Sequence, residues 1–191
     1  MATLPCEFYL RPAPIVAQNL LGMTLIRILA GQRVSGRIIE TEAYEGEEDL
    51  ASHARSGLTA RNAVMYGPPG RAYVYFTYGM HWCLNAVTGA EGYPAAVLIR
   101  AIVPVEGLQI IAKNRSGIAA RNWTDGPAKL CRALQIDGTL NGVELCHASS
   151  PLRIEEGEPA ANDEVIASPR VGIQYSPEPW LSKPWRFRLR S

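Results

Sequence analysis

Glu40-Thr41-Glu42-Ala43-Tyr44 places two carboxylates and a phenol at every second position. In a β-strand alternate residues share a face, so these three side chains would stand together. A carboxylate at a strand end beside an irregular loop can take a proton from a water that attacks a polar bond. A solvated strand edge is the plainer reading of the same glutamates. Against it stands the preceding Ile38-Ile39 pair, which draws the strand toward a core where an acid needs a partner. Arg100, inside the otherwise apolar run 95–103, is the nearest candidate.

A second group is aromatic. Tyr73, Tyr75 and Tyr78 alternate with Val74, Phe76 and Thr77, and Gly79-Met80 can turn the chain back through His81 and Trp82. Some of these rings must pack in a core. The others could form a stacking platform with an exposed wedge at the hairpin tip, as in proteins that unstack bases. Asn85 on the return strand is either paired in the core or lines a pocket. His53 alone is more ordinary as a hydrogen-bonded residue than as a catalyst. Lys113, Lys129 and Lys183 lie away from these motifs, which leaves little for Schiff-base chemistry.

The chain of 191 residues must position these groups with ordinary globular means: 47% apolar and 19% charged residues, net charge +1. Near-neutrality gives no global electrostatic argument for a nucleic-acid or membrane partner. No apolar run is long enough to span a bilayer, and Met1-Ala-Thr-Leu-Pro5 lacks signal-peptide character, so a cytoplasmic protein is expected. Cys6, Cys83, Cys131 and Cys146 have no metal-site spacing, and His53, His81 and His147 lie far apart. Buried free thiols and no metal are the expectation.

The pattern predicts a helix over 13–21, strands over 25–29 and 34–44, and a long loop region over 45–70. A hairpin over 72–87 and a buried strand over 95–103 follow. Helices are predicted over 105–116 and 127–135, the second capped by Asp125. Short strands are predicted around 143–147, 151–155, 163–167, 170–175 and 184–190. Regular βαβ alternation is absent, so the expected fold is α+β: one mixed domain over 1–191, with a curved, largely antiparallel sheet, surrounding helices and a protruding hairpin. Charge is segregated. Residues 40–49 carry six acids and no base, whereas Lys183, Arg186, Arg188 and Arg190 have no acid near them in sequence. A basic face for phosphates is possible if the basic segments converge, and a solvated surface is the simpler reading.

In order, the blocks Gly36–Tyr44, Thr59–Asn62, Tyr73–Met80, Asn85, Val97–Arg100, Gly126–Leu130 and Arg170–Ile173 resemble the alkyladenine (N-methylpurine, 3-methyladenine) DNA glycosylase family. The likeness runs from about Leu20 to Arg188. It implies that Glu42 orients a water onto the deoxyribose C1′ carbon, helped by Arg100 and the main-chain carbonyl of Val171. Tyr44 would stack on one side of a flipped base, with His53 and Tyr75 on the other. Asn85 would reject the amino group of a normal guanine. Tyr78 would fill the gap in the duplex, with Met80 and His81 beside it on the DNA. His81 stands where the family often has an aromatic residue. The resemblance further implies a monomer without cofactor that acts on double-stranded DNA containing a damaged purine. Alkylated or deaminated purines would be released by hydrolysis alone, leaving an abasic site. A non-catalytic binder of distorted DNA has no need of the Glu42 and Arg100 pair. A glycoside hydrolase using Glu40 and Glu42 is disfavoured, because residues two apart on a strand cannot flank a substrate.

Overall fold

The computed structural model describes residues 1–190. Runs of β-branched and aromatic residues form β1 (Thr24–Leu29), β2 (Gln32–Glu45), β3 (Ala72–Thr77), β4 (His81–Val87), β5 (Ala95–Glu106), β6 (Leu152–Glu155), β7 (Val165–Ser168) and β8 (Arg186–Leu189). They build one open antiparallel sheet in the order β3-β4-β5-β2-β1-β6, with β8 on β2 and β7 on β8. The 14-residue β2 organises it. One edge of β2 pairs with β5, and the other is divided between β1 near Gln32–Arg37 and β8 at Glu40–Glu42.

Helices α1 (Cys6–Tyr9), α2 (Ala13–Asn19), α3 (Leu108–Asn114) and α4 (Pro127–Ala133) surround the sheet, joined by short 3₁₀ turns. One sheet face supplies Ala43, Val74, Leu84, Val97, Ile99 and Phe187 to the main core, where Val16, Leu20, Leu130 and Leu134 meet them. Each fully buried aliphatic side chain of this kind stabilises the fold by roughly 1.5–3 kcal/mol. The opposite face of the β3-β4-β5 region is covered only in part, by Met65 against Tyr73, Val87 and Ala96. The cleft described below opens there.

Of the three irregularities where β2 passes β5, two lie side by side and compensate each other. Ile38 faces Ile102, Glu40 faces Ala101, and Thr41 faces Ile99, so Ile39 and then Arg100 are each left without an opposite residue. Bulges of this kind re-aim a side chain while preserving the register beyond them. Here the displaced residue is Arg100.

Several sequence expectations need correction. Cys6 and Cys146 form a disulfide with Cα atoms 5.2 Å apart, while Cys83 and Cys131 are buried free thiols. The pair is separated by 140 residues and meets only because α1 packs beside the turn after Glu144. Segment 143–147 makes a single bridge, Arg71 to Glu144, and 170–175 is a turn in which Gly172 has φ +80°. β5 continues through Glu106, so α3 starts only after Gly107, whose φ is +70° and whose missing Cβ leaves room for Val34. Gly126, not Asp125, caps α4, and Asp125 instead pairs with Lys129. The hairpin turns on Tyr78-Gly79, with φ values of 51° and 66°, rather than on Gly79-Met80. Positive φ at both central residues is the pattern of a type I′ turn. For a residue as bulky as tyrosine that conformation costs roughly 1–2 kcal/mol.

Candidate active site

Cross-strand pairing brings the chemistry together. Glu42 lies opposite Leu98 of β5, and Leu98 lies opposite Asn85 of β4, which lies opposite Tyr73 of β3. Directly opposed residues share a face, and so do residues two apart. Glu40, Tyr44, Ala96, Arg100, Cys83 and Tyr75 therefore join the same surface. A cavity of about 530 Å³ opens over it, walled by Tyr44, His53, Tyr75, Asn85, Arg100 and Val171.

Glu42 is fully buried just behind this wall, screened by its own donors. Its Oε1 accepts the Val171 amide N–H at 2.7 Å, and its Oε2 accepts the Tyr44 hydroxyl at 2.9 Å. Arg100 reaches Oε2 at 3.2 Å and donates its Nε–H to Glu40 at 2.6 Å. Arg186 donates to the same Glu40 oxygen at 2.8 Å. Val171 thus touches Glu42 through its amide N–H, beside the carbonyl that the resemblance assigns to orienting the water. Burial pushes the Glu42 carboxyl above the usual range, against the pull of Arg100, the Val171 N–H and the Tyr44 hydroxyl. Burial and the neighbouring Glu42 push the Tyr44 phenol well up, so it remains a proton donor to the carboxylate.

The aromatic wall is fixed with equal care. His53 opens a 3₁₀ turn, places Nδ1 3.0 Å from the Tyr73 hydroxyl, and meets the Tyr75 ring edge-on at 4.5 Å. Burial, helped by Arg61 and Arg55, lowers the imidazole to about 4, so the ring is neutral near pH 7. Asn85 is buried and donates its Nδ2–H to the Tyr73 carbonyl at 3.0 Å, which holds the amide against the cavity. Tyr78 stands at the cavity mouth with 83% of its surface exposed. Met80 and His81 are exposed beyond it on the same hairpin and do not line the cavity. The structure therefore brings Glu42, Arg100, Val171, Tyr44, His53, Tyr75 and Asn85 into one site. Tyr78, Met80 and His81 form a separate projecting tip.

Three residues that carry this arrangement received no role from the sequence. Arg170 is buried, forms a bidentate pair with Asp49 (2.5 and 2.9 Å), and donates to the Ala43 carbonyl at 2.9 Å. Its guanidinium lies 4.7 Å from the centre of the Tyr44 ring, and the next residue is Val171. Asn62, also buried, accepts from the Thr59 N–H and hydroxyl and donates to the carbonyls of His53 and Gly57. Asp49 looked like one more charge in an acidic run. Arg170 and Asn62 were visible only as members of family-like blocks.

Among the described residues no three metal-ligating side chains converge, and no helix is long and apolar enough to cross a membrane. What the fold does provide is an α+β domain with a carboxylate–arginine centre behind an aromatic cleft, and a wedge-like hairpin beside it. The model of the methylpurine-DNA glycosylase family matches residues 7–191, and the chain belongs to that family. A relative in Methanocella arvoryzae is 52% identical over 98% of this chain and 92% of its own. Others in Carboxydothermus hydrogenoformans and Desulfitobacterium hafniense are each 48% identical, over 98% and 99% of this chain and 95% and 96% of theirs. All three are provisionally named 3-methyladenine DNA glycosylases. The likeness read from the sequence blocks is borne out.

Proposed function

We propose that this protein releases damaged purines from duplex DNA by hydrolysing the N-glycosidic bond, with Glu42 as the general base. The observation that carries this reading is the Glu42 carboxylate itself, buried yet held by three donors at the back of an aromatic cavity of about 530 Å³. A buried carboxylate needs such donors to remain ionised. They occupy one lone-pair direction on Oε1 and two on Oε2, so Oε1 keeps a lone pair with which it would accept from a water admitted past those donors.

A base inside a duplex hides its glycosidic bond, so the nucleotide must first leave the stack at a cost of a few kcal/mol. Tyr78 would occupy the vacated space. Stacking of the base between Tyr44 on one side and Tyr75 and His53 on the other returns on the order of 1–3 kcal/mol. A damaged or mismatched base leaves its pair more cheaply, which favours lesions before any pocket contact forms. In the chemical step the water oxygen forms a bond to C1′ and gives its proton to Glu42. The electron pair of the C1′–N bond departs with the purine, and an abasic site remains. Alkylated purines, being electron-poor, need little help to leave. A positioned general base contributes roughly 10²–10⁴-fold. Asn85 would exclude the extra amino group of guanine, a reading supported by the bond that fixes its amide on the Tyr73 carbonyl. Arg100 steadies Glu42 and balances its charge.

The test is single-turnover base release from duplexes holding one hypoxanthine or one alkylated adenine. Release by the native protein that disappears in Glu42→Gln, with lesion binding retained, is the expected result. Tight binding by both proteins without release would leave a non-catalytic damage binder in its place.

A further inference from the structure

The face of the β3-β4 hairpin turned away from the cavity carries a contact that the base pocket does not use. Phe76 and Trp82 lie opposite each other across the strands, with ring centres 4.7 Å apart, while Tyr75 and Cys83 take the cavity side. The Trp82 ring reaches on to the 3₁₀ turn Gly138–Leu140. A Cβ on Gly138 would stand 2.7 Å from Cη2 and 3.1 Å from Cζ3 of that ring, closer than carbon atoms pack. Gly138 has no positive φ, so space and not backbone angle calls for glycine there. The turn is itself held fast. Asp137 caps it by accepting the Thr139 N–H at 2.9 Å, and buried Leu140 joins the main core. Next in the chain, Asn141 Oδ1 accepts the Val74 N–H at 2.9 Å, and the Gly142 N–H and Val143 carbonyl bond Ala72.

β3 is the edge strand of the sheet, and the bonds from this segment reach along it only as far as Val74. Beyond them Phe76, Tyr78 and Met80 are exposed. A two-stranded ribbon without cover is only marginally stable, so the aim of its tip depends on what braces its base. We infer that Trp82, seated on Gly138, is a positioning residue for base extrusion: it sets the angle at which the hairpin carries Tyr78 into the duplex. The inference rests on the proposed reading of Tyr78 as the group that fills the vacated space. Trp82 does not line the cavity, and Glu42 and Arg100 belong to β2 and β5. A shift of its ring therefore re-aims the tip and leaves the hydrolytic groups in place. Extrusion precedes hydrolysis, so a misdirected wedge lowers the share of extruded nucleotide and not the chemical step. The loss falls on a well-paired lesion, because a mismatched one already leaves the stack cheaply.

The experiment is single-turnover release of hypoxanthine from two duplexes, one with the lesion paired to cytosine and one with it opposite a mismatched purine. Each carries 2-aminopurine beside the lesion to report unstacking. Gly138→Ala drives a methyl group into the ring, and Trp82→Phe withdraws the ring from the turn. Each is expected to slow release from the paired duplex roughly tenfold, within what a misplacement of about 1 Å can cost. The unstacking signal should fall with it, and the mismatched duplex should change far less. In the double variant the methyl group fills the space that the ring has left, so both readouts should recover, a coupling that residues in contact show. In a Tyr78→Ala background, Gly138→Ala should cost nothing further. Equal slowing on both duplexes, or single losses that multiply in the double variant, overturns the inference. If Gly138→Ala does not fold, Trp82→Phe is read on the two duplexes by the same criterion. Native protein that unstacks the duplex but releases no base sinks the glycosylase reading alone, and the 2-aminopurine signal then decides on the brace. Native release that the variants leave unchanged on the paired duplex sinks the brace alone.

Discussion

Two arginine–carboxylate networks lie on the same sheet, at opposite ends of β2, and they hold their acids in opposite ways. Near the start of β2, Arg33 forms a bidentate pair with Glu155 at 2.9 Å and also reaches Glu106 at 2.6 Å, while Arg153 adds a further bond to Glu155. Those bonds, those of Arg33 and Ser35 foremost, pull Glu155 and Glu106 below the usual carboxylate range. Near the end of β2, Arg100 and Arg186 share Glu40, and Arg100 turns only its outer nitrogen to Glu42. There burial wins and Glu42 is pushed up. The difference teaches that an ion pair alone does not mark a site. The first network spends its arginines fully on its acids, whereas the second leaves one buried acid with a longer, divided contact and spare basicity.

The largest expected effect separates the two networks by activity. Glu42→Gln should lower single-turnover release by roughly 10²–10⁴-fold, whereas Glu155→Gln should leave release unchanged. The cost of Glu155→Gln belongs to the fold, on the order of 1.5–3 kcal/mol for the weakened charge-assisted bonds, read by chemical denaturation. Equal loss of release in both variants would erase the contrast. Next in size is the buried pair behind Tyr44. Asp49→Ala leaves Arg170 buried without its counter-charge, so a loss of about 3–5 kcal/mol of stability is expected in denaturant titrations. Replacing both residues by apolar ones should recover much of that stability. Release should stay low in the double variant, because the Tyr44 ring and the Val171 amide would have lost the side chain that positions them.

Those two comparisons also show what could be read in the sequence. The Glu40-Thr41-Glu42-Ala43-Tyr44 alternation and its partner Arg100 were legible because strand period and charge in an apolar run are local signals. The hairpin was legible for the same reason, from Tyr73 to Val87. The Arg170–Asp49 pair was not, because nothing local distinguishes an acid that will be buried 121 residues from its partner from one facing water. Beyond Glu40 and Glu42, the acids of 40–49 read from charge alone as covering a solvated surface. The structure also turns Glu45 and Asp49 to partners within the fold, whereas Glu47 is exposed and accepts the Tyr66 hydroxyl at the surface. The segment 170–175 has apolar residues at strand-like spacing, yet Arg170 turns inward and Gly172 takes a positive φ, so it becomes the turn that delivers the Val171 amide. The Cys6–Cys146 disulfide escaped for the same reason as the ion pair: it is set by packing across the whole chain.

Titration offers a finer contrast, since the two networks should respond to acid with opposite signs. Glu155 and Glu106 have folded-state values below their unfolded ones, so their stabilisation is present above the unfolded value and is lost as pH falls through the folded one. Glu42 has a raised folded value. The fold therefore favours its protonated form, and that stabilisation is full below the unfolded value and lost as pH rises through the folded one. Comparing native protein with Glu42→Gln across the acid range should show Glu42→Gln gaining relative stability as pH rises. The same comparison for Glu155→Gln should show its deficit growing as pH rises. Release should fall on the acid side as Glu42 takes up its proton. His53, lowered to about 4, should add a further loss only near that pH. Parallel stability curves for the two variants would contradict the assignment.

The smallest expected effect lies in the acid that two arginines share at each end of β2. Glu155 keeps two bonds from Arg33 if Arg153 is removed, so Arg153→Gln should change little. Glu40 has no such reserve. Arg186 and Arg100 both donate to its Oε1, and removing Arg186 leaves Arg100 as its sole ion-pair partner among the described residues. Arg100 is then drawn further toward Glu40, and its weaker hold on Glu42, now 3.2 Å, should loosen. Less positive charge at the carboxylate raises its proton affinity. Arg186→Gln is therefore expected to move the acid limb of the release profile to higher pH, with only a few-fold loss of rate at neutral pH. A uniform loss of rate at every pH, with the limb unmoved, would instead place Arg186 among the groups that simply hold DNA.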